Sequence, residues 1–216
     1  MTVLVTAGPT IEYIDDIRYI TNKSSGKMGF ALARDAVRRG VNCILISGPT
    51  NLTPPAGCKY IPVETTEDML KAVTAQLKNM NIDVFIGAAA VADWKMEKKA
   101  QGKLPSSKKF NIELSPTEKI IEMVKKLSPA TALVAFKAEH GLNEKQLIAK
   151  SYERLQQVQA DYIIANDVSE PDSGFQSDEN KILVINTKGE VLFKGKDTKY
   201  ALAQRILDIA RCGFEE

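Results

Sequence analysis

Short apolar runs alternate with amphipathic stretches along almost the whole chain. The runs Val3–Thr6, Val41–Ser47, Tyr60–Val63, Asp83–Ala90, Leu133–Phe136 and Tyr162–Ala165 are each bounded by turn residues. A strand buried on both faces reads as such a continuous run, whereas a half-exposed strand alternates. Between the runs lie segments of helical period. Gly29–Arg39 is one, with Gly40 in the usual C-terminal stop position, and Thr66–Asn79 and Glu144–Gln157 are others. Pro116–Lys126 is a fourth, its start signalled by Ser115 followed by Glu118. Strands that alternate with helices predict an α/β three-layer sandwich around a mainly parallel sheet. Ile182–Asn186 and Val191–Lys194, separated by a turn at Lys188-Gly189, predict a C-terminal β-hairpin, and Lys199–Arg211 a closing helix. Phe110–Leu114 alternates like a short strand, and the lysine-rich segment 95–109, with Gly102 and Pro105, predicts a flexible lid.

With 216 residues, 44% of them hydrophobic and no internal repeat, the chain reads as one domain, 1–216, with one substantial core. Lys and Arg total 29 against 27 Asp and Glu, so the net charge is +2 and no basic tract marks a nucleic-acid partner. Any anion selectivity must therefore be local. Cys43, Cys58 and Cys212 are scattered, without C-x-x-C spacing, which argues against a disulfide framework or a zinc site and suits a reducing compartment. A signal peptide is not expected, and no apolar run approaches the roughly twenty residues that span a bilayer. The expectation is a soluble cytoplasmic protein without a membrane partner.

In an open parallel sheet, ligands gather at the carboxyl ends of the strands, where strand order reverses. Polar residues stand at those ends: Gly8 and Thr10, Gly48, Asp93, Lys137 and Glu139, and Asn166 and Asp167. The first strand runs into Ala7-Gly8-Pro9-Thr10, and a Ser/Gly-rich stretch from Thr21 to Gly29 precedes a helix. Backbone N–H groups and a positive helix end there make an anion site. The usual nucleotide fingerprints are missing, because no G-x-G-x-x-G occurs and Gly26-Lys27 is followed by Met28 instead of Ser or Thr.

Two readings stand side by side for each candidate. Asp93 is either a turn cap or an acceptor for an exocyclic amine or a ribose hydroxyl. Lys103, among Lys95, Lys98, Lys99, Lys108 and Lys109, belongs either to a solvated face or to a lid that gathers triphosphate charge. Asn22 is a cap or a neutral amide donor for an oxyanion. Trp94 and Phe136 are rim aromatics or stacking platforms. His140 is the sole histidine and no G-x-S-x-G occurs, which disfavours hydrolase chemistry.

Taken in order, A-G-P-T from Ala7, R-Y-I-T-N-K-S-S-G-K-M-G from Arg18, A-A-V-A-D from Ala89, F-K-A-E from Phe136, A-N-D-V from Ala165 and G-F-Q-S-D-E-N from Gly174 resemble phosphopantothenoylcysteine synthetase. The resemblance covers essentially the whole chain. It implies a Rossmann-like homodimer that activates 4′-phosphopantothenate with CTP and Mg²⁺, releases pyrophosphate, and couples the acyl-cytidylate to L-cysteine with release of CMP. Eukaryotic relatives use ATP. In most bacteria and archaea the family is the carboxyl-terminal half of a fusion with a flavin-dependent decarboxylase, so a fused or separate decarboxylase is an expected partner.

By position, Asn22 matches the residue that contacts the acyl-cytidylate carbonyl and Lys103 the lid lysine. Nucleotide contacts are implied for Gly87, Ala88, Ala89, Asp93, the turn Ser115, Pro116, Thr117 and Glu118, Phe136, and the basic pair Lys150 and Arg154. Two departures stand out. Lys103-Leu104-Pro105-Ser106 keeps only the first lysine of a K-x-K-K lid, leaving Lys108 or Lys109 to supply charge, and Arg154 replaces a lysine. The rival readings are a short-chain-type NAD(P) oxidoreductase and a nucleotide-sensing module without turnover.

Overall fold

The computed structural model describes residues 1–107, 109–169 and 176–212. Lys108, and Gly174 and Phe175 of the last motif, lie outside the described residues. In chain order the elements are β1 (Thr2–Ala7), β2 (Ile11–Tyr13), β3 (Tyr19–Thr21), α1 (Lys27–Arg38), β4 (Asn42–Ser47), β5 (Lys59–Pro62), α2 (Thr66–Asn79), β6 (Val84–Gly87) and β7 (Trp94–Met96). They continue as β8 (Leu114–Pro116), α3 (Ile120–Leu127), β9 (Ala132–Glu139), α4 (Glu144–Val158), β10 (Tyr162–Asp167), β11 (Glu179–Asn186), β12 (Val191–Thr198) and α5 (Lys199–Cys212).

Apolar runs on both faces oblige the sheet to be covered on both sides. Val3, Val5 and Ala7 of β1 face a core shared with Phe30 and Ala33 of α1 and Leu202 and Ile206 of α5. Leu4 faces the opposite core, with Met69 and Val73 of α2, Val124 of α3 and Leu155 of α4. The eight-stranded sheet runs β12-β11-β10-β9-β6-β1-β4-β5, with β11 and β12 antiparallel to their neighbours and the other six parallel. The chain starts at β1 in the middle, lays β4 and β5 to one side, then crosses back to lay β6, β9 and β10 on the other. Strand order therefore reverses between β1 and β6, leaving a crevice at their carboxyl ends.

The predicted parallel sandwich, C-terminal hairpin and closing helix are all present. The differences are local. The run Asp83–Ala90 is a ladder strand only over Val84–Gly87, because from Ala88 the backbone turns off the sheet and Ala90 N–H donates to Gly8 O at 2.9 Å. No strand forms over Phe110–Glu113. The alternating Phe110, Ile112 and Leu114 have no surface to bury against and stay 50%, 43% and 42% exposed. The ladder residues are Leu114–Pro116, paired with Trp94–Met96.

Ser115 and Glu118 likewise do not start a helix. Ser115 pairs with Lys95 in that ribbon, and α3 begins at Ile120 behind an N-cap lysine, Lys119, that makes no side-chain cap. Reciprocal capping boxes occur instead at Thr65/Asp68 and Asn143/Gln146. A second ribbon, β2–β3, went unpredicted. Cys43 and Cys58 turn out to be neighbours, with the Cys58 thiol donating to Cys43 O at 3.4 Å. No helix among the described residues is long and apolar enough to cross a membrane.

Candidate active site

A cleft of about 600 Å³ opens at the carboxyl ends of β1, β6 and β9, with Thr6, Gly87 and Phe136 among the strand-tip residues that line it. One wall is the N-terminus of α1. Gly29 allows that helix to sit against the strand end, because a Cβ added there would lie 2.4 Å from the Ala7 Cβ and 3.2 Å from Thr6 O. Gly26, which has no side chain to cap α1, precedes the helix with φ 76°, the Ser25 hydroxyl accepts from Lys27 N–H at 3.5 Å, and the first turn holds no acid. The positive end of the helix dipole is thus turned toward the cleft without an acid of its own first turn to neutralise it.

The opposite wall is the segment 88–93, and threonines hold its shape. Ala92 N–H donates to Thr10 Oγ1 at 2.8 Å, and Thr117 Oγ1 donates to Ala92 O at 2.5 Å. Thr117 N–H donates to Asp93 O at 3.0 Å. Thr10 is fixed in turn by Thr66 Oγ1 at 3.0 Å, whose backbone N–H is taken by buried Glu12 at 2.9 Å. From the other side Asn22 Nδ2 donates to Ala90 O and Val91 O, both at 3.0 Å. Both hydrogens of the Asn22 carboxamide are therefore committed to the wall.

Charge is arranged around this frame. Asp93 is ion-paired with Lys119, which also lines the cleft. Glu139 meets Lys137 at 3.1 Å and Lys150 at 3.7 Å, while Arg154 reaches Glu122 at 3.0 Å. Near the α1 end, Lys27 pairs with Asp178 at 2.6 Å and Lys199 Nζ donates to Ser177 O at 2.6 Å. Lys199 is 6% exposed. Burial, with help from the Lys27 charge and against the pull of Asp178, lowers the Lys199 ammonium to a pKa of about 8. The cleft is a cation-rich concavity with carboxylates at Asp93 and Glu139, suited to a polyanionic ligand.

Of the predicted site residues, Asn22, Gly87, Ala88, Ala89, Asp93, Phe136 and Arg154 line this one cleft. Lys150 stands behind it through Glu139, and Thr117 through the wall. Ser115 and Pro116 lie in the β7–β8 ribbon, and Glu118 is exposed beside it. Lys103 is exposed and outside the residues that line the cleft. Lys119 and Lys199 were missed. A lysine in a turn or opening a helix carries no sequence signal that separates it from a solvated one. Among the described residues no group of three or more His, Cys, Asp or Glu is placed to hold a metal ion.

Comparison with known proteins places the chain in a family. Residues 1–212 match the model of the DNA/pantothenate metabolism flavoprotein C-terminal domain. The chain is 42% identical over 206 residues to the coenzyme A biosynthesis bifunctional protein CoaBC of Thermococcus kodakarensis, covering 95% of this chain and 50% of that protein. It is 37% identical over 222 residues to the CoaBC of Escherichia coli, covering 100% and 53%. The chain thus spans about half the length of the curated relatives it matches. A crystal structure of the C-terminal domain of a CoaBC protein superposes with a TM-score of 0.81 at 34% identity, covering 100% of this chain and 96% of that one. On the fold, the site and these likenesses together, the chain belongs to the family of DNA/pantothenate metabolism flavoprotein C-terminal domains.

Proposed function

We propose that this domain is a nucleotide-dependent ligase that joins 4′-phosphopantothenate to L-cysteine in coenzyme A biosynthesis, with CTP as the activating nucleotide. The observation that carries the reading is the convergence of Asn22, Asp93, Phe136 and Arg154 on one cation-rich cleft at the strand-order reversal. The naming of its relatives as coenzyme A biosynthesis proteins supports the pathway.

In this reading the nucleotide occupies the end of the cleft built from Gly87–Ala89, Asp93 and Phe136, with Lys119 and Arg154 facing its phosphates. The α1 N-terminus, Lys27 and Lys199 form a second positive end, suited to the phosphate of the acid substrate. The substrate carboxylate oxygen attacks the α-phosphorus, the bond to the leaving pyrophosphate breaks, and an acyl-cytidylate forms. Like charges meet in that step, so the surrounding lysines neutralise them. A Mg²⁺ ion bound with the triphosphate would offset its negative charge, and Asp93 and Glu139 are the cleft carboxylates that would hold it.

The cysteine amine then attacks the acyl carbon, and CMP departs with one former carboxylate oxygen. The oxyanion formed on the way needs a donor. Asn22 supplies it by exchanging one of its bonds to Ala90 O or Val91 O, a donor worth about 2.7 to 4 kcal/mol in comparable sites. A homodimer, and a flavin-dependent decarboxylase fused to this domain or working beside it, complete the reading. Relatives named as bifunctional support the second partner.

The test is an assay of pyrophosphate release with 4′-phosphopantothenate, cysteine, Mg²⁺ and each of the four nucleoside triphosphates in turn. Release that requires the acid and is fastest with CTP is expected. Release only with ATP would move the nucleotide assignment, and no release with any of the four would overturn the ligase reading. NADPH fluorescence quenched on binding, with hydride transfer, would favour the oxidoreductase rival instead.

A further inference from the structure

Lys103 is exposed, yet its neighbours are tied down on both sides. Gly102 N–H donates to Asp16 Oδ2 at 2.8 Å, and Gly102 O accepts from Asp16 N–H at 3.3 Å. Leu104 N–H donates to Asp15 Oδ2 at 3.1 Å, and Leu104 O accepts from Arg18 Nη2 at 3.2 Å. Ala100 N–H reaches Ile14 O at 3.0 Å, and Lys99 pairs with Asp16 at 2.9 Å. All of these partners belong to the turn that joins β2 to β3.

Asp15 is the centre of that turn. Its side chain is fully buried, and its Oδ1 accepts from Ile17 N–H at 2.8 Å and Arg18 N–H at 2.7 Å. One oxygen therefore shapes the turn while the other holds the lysine segment. The same ribbon runs through β3 directly into Asn22, whose amide is bonded to the cleft wall. The Lys103 segment, strapped at the tip, and Asn22 at the base are thus connected through one short ribbon.

We propose that Asp15 is a positioning residue that straps the Lys103 segment to the β2–β3 ribbon and so sets where the ammonium stands relative to Asn22. The proposal rests on the ligase reading for its kinetic half only. Asp15→Asn breaks the strap and removes the charge that Arg18 Nη1 faces at 3.6 Å on the same oxygen. The remaining oxygen keeps both turn bonds, whereas the new NH₂ group meets the Leu104 N–H donor to donor, and that bond is lost.

Three readouts follow. Hydrogen exchange at the Leu104 amide should quicken at least about tenfold in Asp15→Asn, as expected for a lost strap. Pyrophosphate release should slow about tenfold while the KM for cysteine stays within about twofold, as expected from a displaced group. In a Lys103→Gln background Asp15→Asn should cost nothing further, because the two act as a unit.

Unchanged exchange at Leu104, or losses that multiply in the double variant, would overturn the proposal. Should Asp15→Asn fail to fold, the wild-type Leu104 amide decides: exchange as fast as in an unstructured peptide also overturns it. A wild type that releases no pyrophosphate with any nucleotide sinks the ligase reading instead, and the strap then stands or falls on exchange alone.

Discussion

In the proposed ligase, Asn22 and Lys199 are the residues whose roles are most exposed to test. Asn22→Asp replaces a donor by an oxygen facing two carbonyls, so the amine-attack step loses its hydrogen bond while the carboxylate can still reach the α-phosphorus. The expected outcome is pyrophosphate release in the first turnover with acyl-nucleotide accumulating and little product, read by rapid quench and mass spectrometry. Wild-type turnover by that variant would remove the assigned role. Lys199 makes a pH prediction. Its folded pKa, about 8, lies below the ordinary lysine value of 10.5. The unfolded chain therefore binds the extra proton between those values, and this group's burden on stability is full below pH 8 and is relieved as pH rises toward 10.5. Substrate binding runs the opposite way, because the ammonium that would hold a phosphate is lost above pH 8. The value of kcat/KM for 4′-phosphopantothenate should fall by up to about tenfold per pH unit on that alkaline limb. Lys199→Arg, which stays charged, should flatten it, and an identical limb in both proteins would contradict the role. Asn22 was legible because it sits in a Ser/Gly-rich stretch beside a strand end. Lys199 was not, because the burial that lowers it most and the Lys27 charge beside it both arise from packing between parts of the chain distant in sequence.

At the scale of elements, α1 ties the site to the rest of the fold. Gly29→Ala would press a methyl group into Ala7 at the strand end, and overpacking of that kind costs about 1 to 3 kcal/mol. The expected result is a lower denaturation midpoint together with weaker substrate binding, since the helix end must retreat from the cleft. A stable variant with unchanged affinity would show that the contact is slack. Farther along α1, buried Asp35 accepts from Arg38 at 2.7 Å and from Arg39 at 2.6 Å, and Arg39 extends to Asp208 of α5 at 2.5 Å. Asp35→Ala leaves Arg39 partly buried with only Asp208 and Gln204 O as partners and should cost about 3 kcal/mol in urea unfolding. A loss below about 0.5 kcal/mol would mean that the link between α1 and α5 behaves as a surface pair. Elements with a long apolar period were readable from sequence. The ribbons β2–β3 and β7–β8 were not, because three-residue strands are too short to show a period, and their ladders are set by tertiary contacts. The misplaced start of α3 has the same origin, since Ser115 is used by a ribbon and is not available to cap a helix.

For the whole molecule, the order of strands does the organising. Beginning in the middle of the sheet and reversing direction once leaves a single crevice where β1 and β6 part, and the segments carrying the motifs end around it. Alternation of strand and helix made that architecture legible, and polar residues after each apolar run marked the rim. What could not be read was which lysines face inward and where the Lys103 segment is held, because both depend on contacts between parts of the chain distant in sequence. The central claim is that the cleft turns a carboxylate into an acyl-nucleotide before cysteine attacks. Oxygen-isotope transfer tests it most directly: 4′-phosphopantothenate labelled with ¹⁸O in its carboxylate is turned over with unlabelled CTP and cysteine, and the products are weighed. The account predicts one labelled oxygen in CMP and one in the amide product. Label recovered in inorganic phosphate, or absent from CMP, would contradict it.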